Sequence, residues 1–263
     1  VIFPEWHDLQ VNEINRYPMH TAFRIENGDT LSLNGTWKFN WVANLDQRPV
    51  DFYRTDYDDS SWKTMPVPGI WGLNGFGDPE YVNIGFAWRG HFKNNPPEIP
   101  IKDNHVGSYR RIIHIPDSWT GKQVIAHFGS VTSNIHLWVN GHFVGYTEDS
   151  KVQSEFDVTP YLKKGDNLFA FQVSRWCDGS YDEDQDFWRL CGVARDSYLF
   201  TRNKNHQMTD IRVLQNLTNH YTDGVLDIQA LLKGCNTADF KLFDANGQQV
   251  ADQVVTGVKD GLA

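Results

Sequence analysis

Apolar and polar residues alternate along this chain in short runs bounded by Gly, Pro, Asn and Asp. No stretch sustains the 3.6-residue period of an amphipathic helix. That texture predicts an all-β protein of the sandwich or jelly-roll kind. The clearest unit is IHLWVNGHFVGY, Ile135–Tyr146, where Asn140-Gly141 separates two β-rich runs. Both residues tolerate positive φ, so a two-residue hairpin turn is expected there. YRRIIHI (Tyr109–Ile115), QVIAHF (Gln123–Phe128) and LFAFQV (Leu168–Val173) predict further strands, and LNGTWKFNW (Leu33–Trp41) a turn entering a strand.

Two stretches break the pattern. Met65–Pro100 is rich in Gly and Pro and has no clear period, and Arg175–Arg189 (RWCDGSYDEDQDFWR) is dense in carboxylates and aromatics. Irregular segments of such length inside a β domain are usually functional or disordered, and the large apolar side chains in the first argue against disorder. A candidate site is therefore expected on these two loops. After about Arg202 the texture changes again. DIRV (Asp210–Val213), VLDIQAL (Val225–Leu231) and FKLFD (Phe240–Asp244), followed by Asn246-Gly247, predict the start of a second β domain. About 60 residues remain for it, short of the roughly 100 of an immunoglobulin-like sandwich, so it is expected to be incomplete.

The carboxylates Asp178, Asp182, Glu183, Asp184 and Asp186 admit three readings. A pair of them suits the acid and nucleophile of a glycosidase, several suit a hard cation such as Ca²⁺ or Mg²⁺, and all suit a solvated acidic loop. EF-hand spacing is absent. Trp176, Tyr181, Phe187 and Trp188 surround the charges, which are costly among aromatics unless paired, and Arg175, Arg189 and Arg195 are near in sequence to pair them.

Composition narrows the field. The chain has 263 residues and a net charge of −9, which argues against a nucleic-acid or anionic-membrane partner. No apolar run approaches the roughly 20 residues of a membrane helix. Its 16 Phe, 10 Tyr and 10 Trp suit an aromatic-rich β core first and sugar stacking second. Cys177, Cys191 and Cys235 form no CxxC pair or disulfide framework and read as buried free thiols. The ten histidines include no HExxH or HxH, and GxSxG, P-loop and GxGxxG motifs are missing. The sequons at Asn34 and Asn216 carry no weight outside a eukaryotic secretory setting.

LNGTWKFNW, then DDSSWKTMPVPGIW, then the long segment from IHLWVNGHFVGYTEDSK to DEDQDFWRLCGVARD resemble, in order and spacing, the sugar-binding domain of glycoside hydrolase family 2. The resemblance is to its β-galactosidases of the large bacterial lac type, and it runs from about Trp6 to Leu199. It implies an N-terminal arm (1–25), a galactose-binding-like jelly roll (26–203) and a partial immunoglobulin-like β-sandwich (204–263). It also implies a retaining β-galactosidase whose catalytic glutamates and active-site Mg²⁺ lie on a separate barrel. A barrel takes about 250 residues, so this chain by itself is expected to be an inactive, sugar-binding segment; a free-standing carbohydrate-binding module is the alternative.

The resemblance assigns residues as well. Asn83 (in YVNI) and Asp186 (in DQDFW) match galactose contacts, and Asp186 also lies beside a bound Na⁺. Glu5, Asp8, the Val11 carbonyl, Glu148 and Asp178 match an Mg²⁺ site joining the arm to the domain, with Asp8 and Glu148 standing where the family pattern has amides. The chemistry is apt, because a carboxylate accepts two hydroxyl protons and an amide both donates and accepts. A bacterial homo-oligomer, in this family a tetramer, is implied too, cytoplasmic in preference to periplasmic.

Overall fold

The computed structural model describes residues 5–20, 28–183 and 185–256, and the backbone of 261–262. The chain divides into two compact units, with the change at Thr201/Arg202. Among the described residues no helix is long and apolar enough to cross a membrane.

The first unit is an all-β jelly-roll sandwich. One sheet has seven strands, in the order Glu13–Ile14, His142–Thr147, Ile135–Val139, Gly165–Ser174, Val106–Ile115, Gly35–Val42, Lys63–Val67. The facing sheet has four, in the order Ser154–Asp157, Gln123–Phe128, Ser197–Arg202, Thr30–Ser32. Alternate residues of the two sheets make the core between them: Trp37, Tyr109, Leu137, Phe169 and Phe171 from the larger, Val124, Ala126, Phe128, Phe156 and Leu199 from the smaller. Phe171 lies at the centre, stacked on Tyr109 at 4.2 Å between ring centroids and edge-on to Phe128 at 5.4 Å.

The centre of the larger sheet is buried on both faces. Ile135–Val139 is wholly buried, as is nearly all of Gly165–Ser174, where a one-sided sheet would alternate. Its outer face is roofed by the arm and the loop over residues 43–62: Trp6, Leu45, Phe52 and Trp62 pack on Trp138, Ala170 and Val106. Arg110 fastens that roof. Its guanidinium donates to Asp59 at 2.7 Å and to the carbonyls of Phe52 and Arg54, so a charge 5% exposed is fully engaged.

The hairpin at Asn140-Gly141 forms as its sequence dictates, with φ of 52° and 84°. The Asn140 side chain does more than turn the chain: its amide donates to the Tyr161 carbonyl and to Asn167, and its oxygen accepts from the Leu168 N–H.

The two irregular stretches are joined to each other. Glu80–Val82 in the first and Phe187–Arg189 in the second pair as a short antiparallel ribbon. Its inner side, Val82 and Phe187, is buried and half-buried, and Val82 packs with Ala87, Trp88 and Trp176 in a small satellite core.

The second unit, where an immunoglobulin-like sandwich was expected, is all-β among its described residues, with two small antiparallel sheets. Gln207–Thr218 and Asp223–Lys233 pair along their length, Gly261–Leu262 adds to the latter, and Thr237–Phe243 pairs with Gln249–Thr256. The strands run longer than their apolar centres suggested, because hairpin hydrogen bonding continues through polar ends. The two sheets line an apolar cleft of about 610 Å³ with Met208, Ile211, Ile228, Phe240 and Leu242.

Candidate functional site

The ribbon carries the first candidate site. Its register pairs Phe187 with Val82 and Trp188 with Tyr81. Asn83 directly follows Val82 and Asp186 directly precedes Phe187, so the two residues singled out in the sequence, about 100 positions apart, flank the same end of the ribbon. Both are exposed. Because strand residues alternate between faces, Tyr81 and Trp188 stand on the outer side, 52% and 53% exposed, with ring centroids 5.7 Å apart. The Tyr81 hydroxyl donates to Asp186 Oδ1 at 2.5 Å. That hydrogen bond is the main cause that raises the Tyr81 phenol above its ordinary value. The result is a polar–aromatic surface backed by a buried apolar one.

The ribbon is held at its base by Arg175, which donates to Glu80 and lies 3.3 Å from an Asp103 carboxylate oxygen, with its guanidinium 4.6 Å above the Trp176 ring. This corrects the pairing expected from the sequence. Arg175 serves Glu80 and Asp103, outside the acidic cluster, and Arg195 donates to the carbonyls of Lys151 and Gly129. Neutral donors also serve the cluster: the Ser150 N–H (2.7 Å) and hydroxyl engage Glu183, and the Gly179 N–H engages Asp178. Asp182 is exposed, and Asp184 lies outside the described residues.

The second candidate is a buried acidic pocket. Glu148, Cys177 and Asp178 are all buried, and one donor atom from each lies within 4.8 Å of the others. Tyr146 and Gly179 shape it: the Tyr146 hydroxyl donates to Glu148 Oε1 at 2.6 Å and the Gly179 N–H to Oε2 at 3.1 Å. A Cβ at Gly179 would meet Glu148 Oε2, so a larger residue there would displace the Glu148 carboxyl. Burial first, then the neighbouring Asp178 carboxyl, push Glu148 up to about 8. Burial also pushes the Cys177 thiol well up. Asp178 is 3% exposed, and its Oδ2 has no hydrogen-bond partner. Two carboxyls this close either share a proton, which raises Glu148, or hold a cation between them.

Of the five expected cation ligands, Glu148 and Asp178 converge. The arm's turn Glu5–His7 packs against the turn Asp178–Tyr181, but Glu5 Oε2 is 3.5 Å from His136 Nε2 and Asp8 Oδ1 accepts from the Gln10 N–H. Val11 is tied into the same turn through its N–H, which donates to the Asp8 carbonyl. Cys177 is the member that sequence reading missed as a site residue. Its position beside Asp178 was the available signal, but a lone thiol with no second cysteine or histidine at ligand spacing does not mark a site.

A profile described as "Glycosyl hydrolases family 2, sugar binding domain" matches residues 30–203. The chain belongs to glycoside hydrolase family 2. Within the family, it is 35% identical to a β-galactosidase of Priestia megaterium over 94% of this chain and 26% of that protein. It is 38% identical to one of Halalkalibacterium halodurans over 93% and 25%, and 42% identical to one of Streptococcus thermophilus over 75% and 19%. The chain thus spans about a quarter of the length of the first two relatives. Among solved structures, a β-glucuronidase from an uncultured Clostridium shares the fold with a TM-score of 0.65 at 17% identity, over 94% of this chain and 43% of that one. A β-glycosidase from Bacteroides vulgatus does so at 0.63 and 22%, over 88% and 29%.

Proposed function

We propose that this chain is the non-catalytic, sugar-binding segment of a retaining β-galactosidase, and that Asn83 and Asp186 supply one wall of its galactose subsite. The observation that supports this reading is the ribbon pairing, whose one end is flanked by an amide and a carboxylate beside an exposed Tyr–Trp pair, with Tyr81 donating to Asp186. An ionised carboxylate accepts from two sugar hydroxyls, the amide donates and accepts, and an aromatic face covers the apolar side of a pyranose. Asp186 would also offer Na⁺ one oxygen of a set completed outside the chain. Glu148 and Asp178 would hold a divalent cation, Mg²⁺ by family resemblance, that ties the arm's packing partner Asp178–Tyr181 to the sandwich. That anchoring suits an arm that helps assemble a homotetramer.

One wall binds weakly. Titrating the isotope-labelled chain with galactose is expected to shift NMR signals of residues 80–84 and 185–189, with a dissociation constant in the millimolar range, about −4 kcal/mol. Micromolar affinity would instead support a free-standing binding module, and no response at the ribbon would remove the sugar-contact role. Hydrolysis of a chromogenic β-galactoside by the chain alone is expected to be undetectable, because the chain spans about a quarter of its β-galactosidase relatives and the family resemblance places the catalytic glutamates on a separate barrel. Appreciable turnover would overturn the non-catalytic reading.

A further inference from the structure

We propose that Lys151 and Thr132, with Arg189 beside them, bind a small oxyanion, a phosphate or sulfate group, on the inner side of the ribbon.

Beside Phe187 lies a cavity of about 50 Å³. A buried water needs roughly 10–15 Å³ of such space, so there is room for about four oxygens, as many as a tetrahedral oxyanion has. Lys151, Arg175 and Arg189 line the cavity together with the hydroxyls of Thr132 and Ser133, and Glu183 is the carboxylate among them. Most of these groups are already engaged. Arg175 serves Glu80 and Asp103, Ser133 donates to the Ser174 carbonyl at 2.9 Å, and both oxygens of Glu183 accept from Ser150. Lys151 differs. Its ammonium makes one long hydrogen bond, 3.3 Å to Thr132 Oγ1, and no ion pair among the described residues. Because Thr132 accepts in that contact, its hydroxyl hydrogen is left to donate.

The charge around Lys151 is positive. Its Nζ lies 5.1 Å from the centroid of the Phe187 ring, and Arg189 Cζ lies 5.1 Å from the same centroid. Arg195 donates to the Lys151 carbonyl at 2.6 Å, a neutral acceptor that leaves the guanidinium charge in place. Burial first, then Arg189 and Arg195, hold the Lys151 amine below its ordinary value against the pull of Glu183. The residue as a whole is exposed, so the charged end is the part that the fold draws out of water. A partly dry ammonium among guanidiniums is costly unless an opposite charge joins it. An oxyanion supplies that charge and accepts from both Lys151 and Thr132. The size of the cavity selects a single group over an extended polyanion. Lys151 lies beyond the strand His142–Thr147 and Arg189 ends the ribbon strand Phe187–Arg189, so the bound anion would tie that loop to the ribbon across Phe187.

Inorganic phosphate and inorganic sulfate, each titrated into the isotope-labelled 263-residue chain at constant ionic strength with chloride as the balancing salt, test this. The expected result is that NMR signals of Thr132, Ser133 and Lys151 shift and saturate as a single site. Lys151→Gln should weaken binding about tenfold, and Lys151→Arg, which keeps the charge, should retain it. Both variants should keep the galactose response of residues 80–84, so failure of the anion site and failure of the galactose wall are read separately. Amide dispersion checks the fold of Lys151→Gln, and the wild-type titration decides even if that variant misfolds. Shifts that never saturate, shifts scattered over surface cations, or equal binding by Lys151→Gln would each overturn the site. So would the absence of any response to either anion.

Discussion

The same chemical contact occurs twice in the first unit, in opposite surroundings. Tyr146 donates to Glu148 at 2.6 Å inside the buried pocket, and Tyr81 donates to Asp186 at 2.5 Å on the exposed outer face of the ribbon. Water competes for the second bond and screens it, while the first holds a carboxyl that has no solvent to turn to. The buried pair therefore contributes to stability, and the exposed pair positions a carboxylate that stays available to a ligand. Near-identical distances carry different meanings because the dielectric around them differs.

The largest expected effect breaks the buried member. Tyr146→Phe removes the donor to a buried acceptor and should destabilise the chain by about 2 kcal/mol in urea unfolding. A loss below about 0.5 kcal/mol would mean that the pocket is wetter than its burial implies. Next is Asp186→Ala on the ribbon, which should abolish the galactose-dependent NMR shifts while leaving the urea midpoint near the wild-type value. Retained shifts would place sugar binding elsewhere.

Beside the ribbon's anchor lies a pH-dependent support. His105 Nε2 is 3.0 Å from Asp103 Oδ1, its ring packs on Trp41, and Arg175, the ribbon's anchor, is its neighbour. Burial first, then the positive charge of Arg175, hold its imidazole below the ordinary value, against the pull of Asp103. The native state therefore binds fewer protons than the unfolded chain, and stability rises with pH through this window. The contribution is full above the unfolded value near 6.5 and is lost as pH falls below it. His105→Gln should flatten that acid limb of stability against pH; an unchanged slope would assign the limb to other groups. The smallest effect is expected from Tyr81→Phe. Its unfolding midpoint should match the wild type, while galactose titration shows a looser response at Asp186. A large drop in stability would erase the contrast between the two tyrosines.

Much of the fold was legible along the chain. Gln123–Phe128 forms a strand with the predicted limits, and Asn140-Gly141 forms the turn its residue types demand. Pairing of the two irregular stretches was not legible, because Glu80–Val82 and Phe187–Arg189 are three-residue strands with too few positions to show a period. The partners of Arg175 were misjudged for a related reason. Sequence proximity favoured the acidic cluster, whereas the end of strand Gly165–Ser174 delivers Arg175 to Glu80 and Asp103.

By itself, the sequence determined the all-β class, the hairpin, the family resemblance and the candidacy of Asn83, Asp186, Glu148 and Asp178. These follow from local backbone preference and from motifs read in order. Only the tertiary structure decided which carboxylates are exposed and which are buried, that Asp186 and Asn83 flank the same end of one ribbon, and that Cys177 shares a pocket with Glu148 and Asp178. Burial and cross-strand register depend on residues far apart in the chain, and the chemistry of a carboxyl or a thiol is set by those neighbours more than by its own identity.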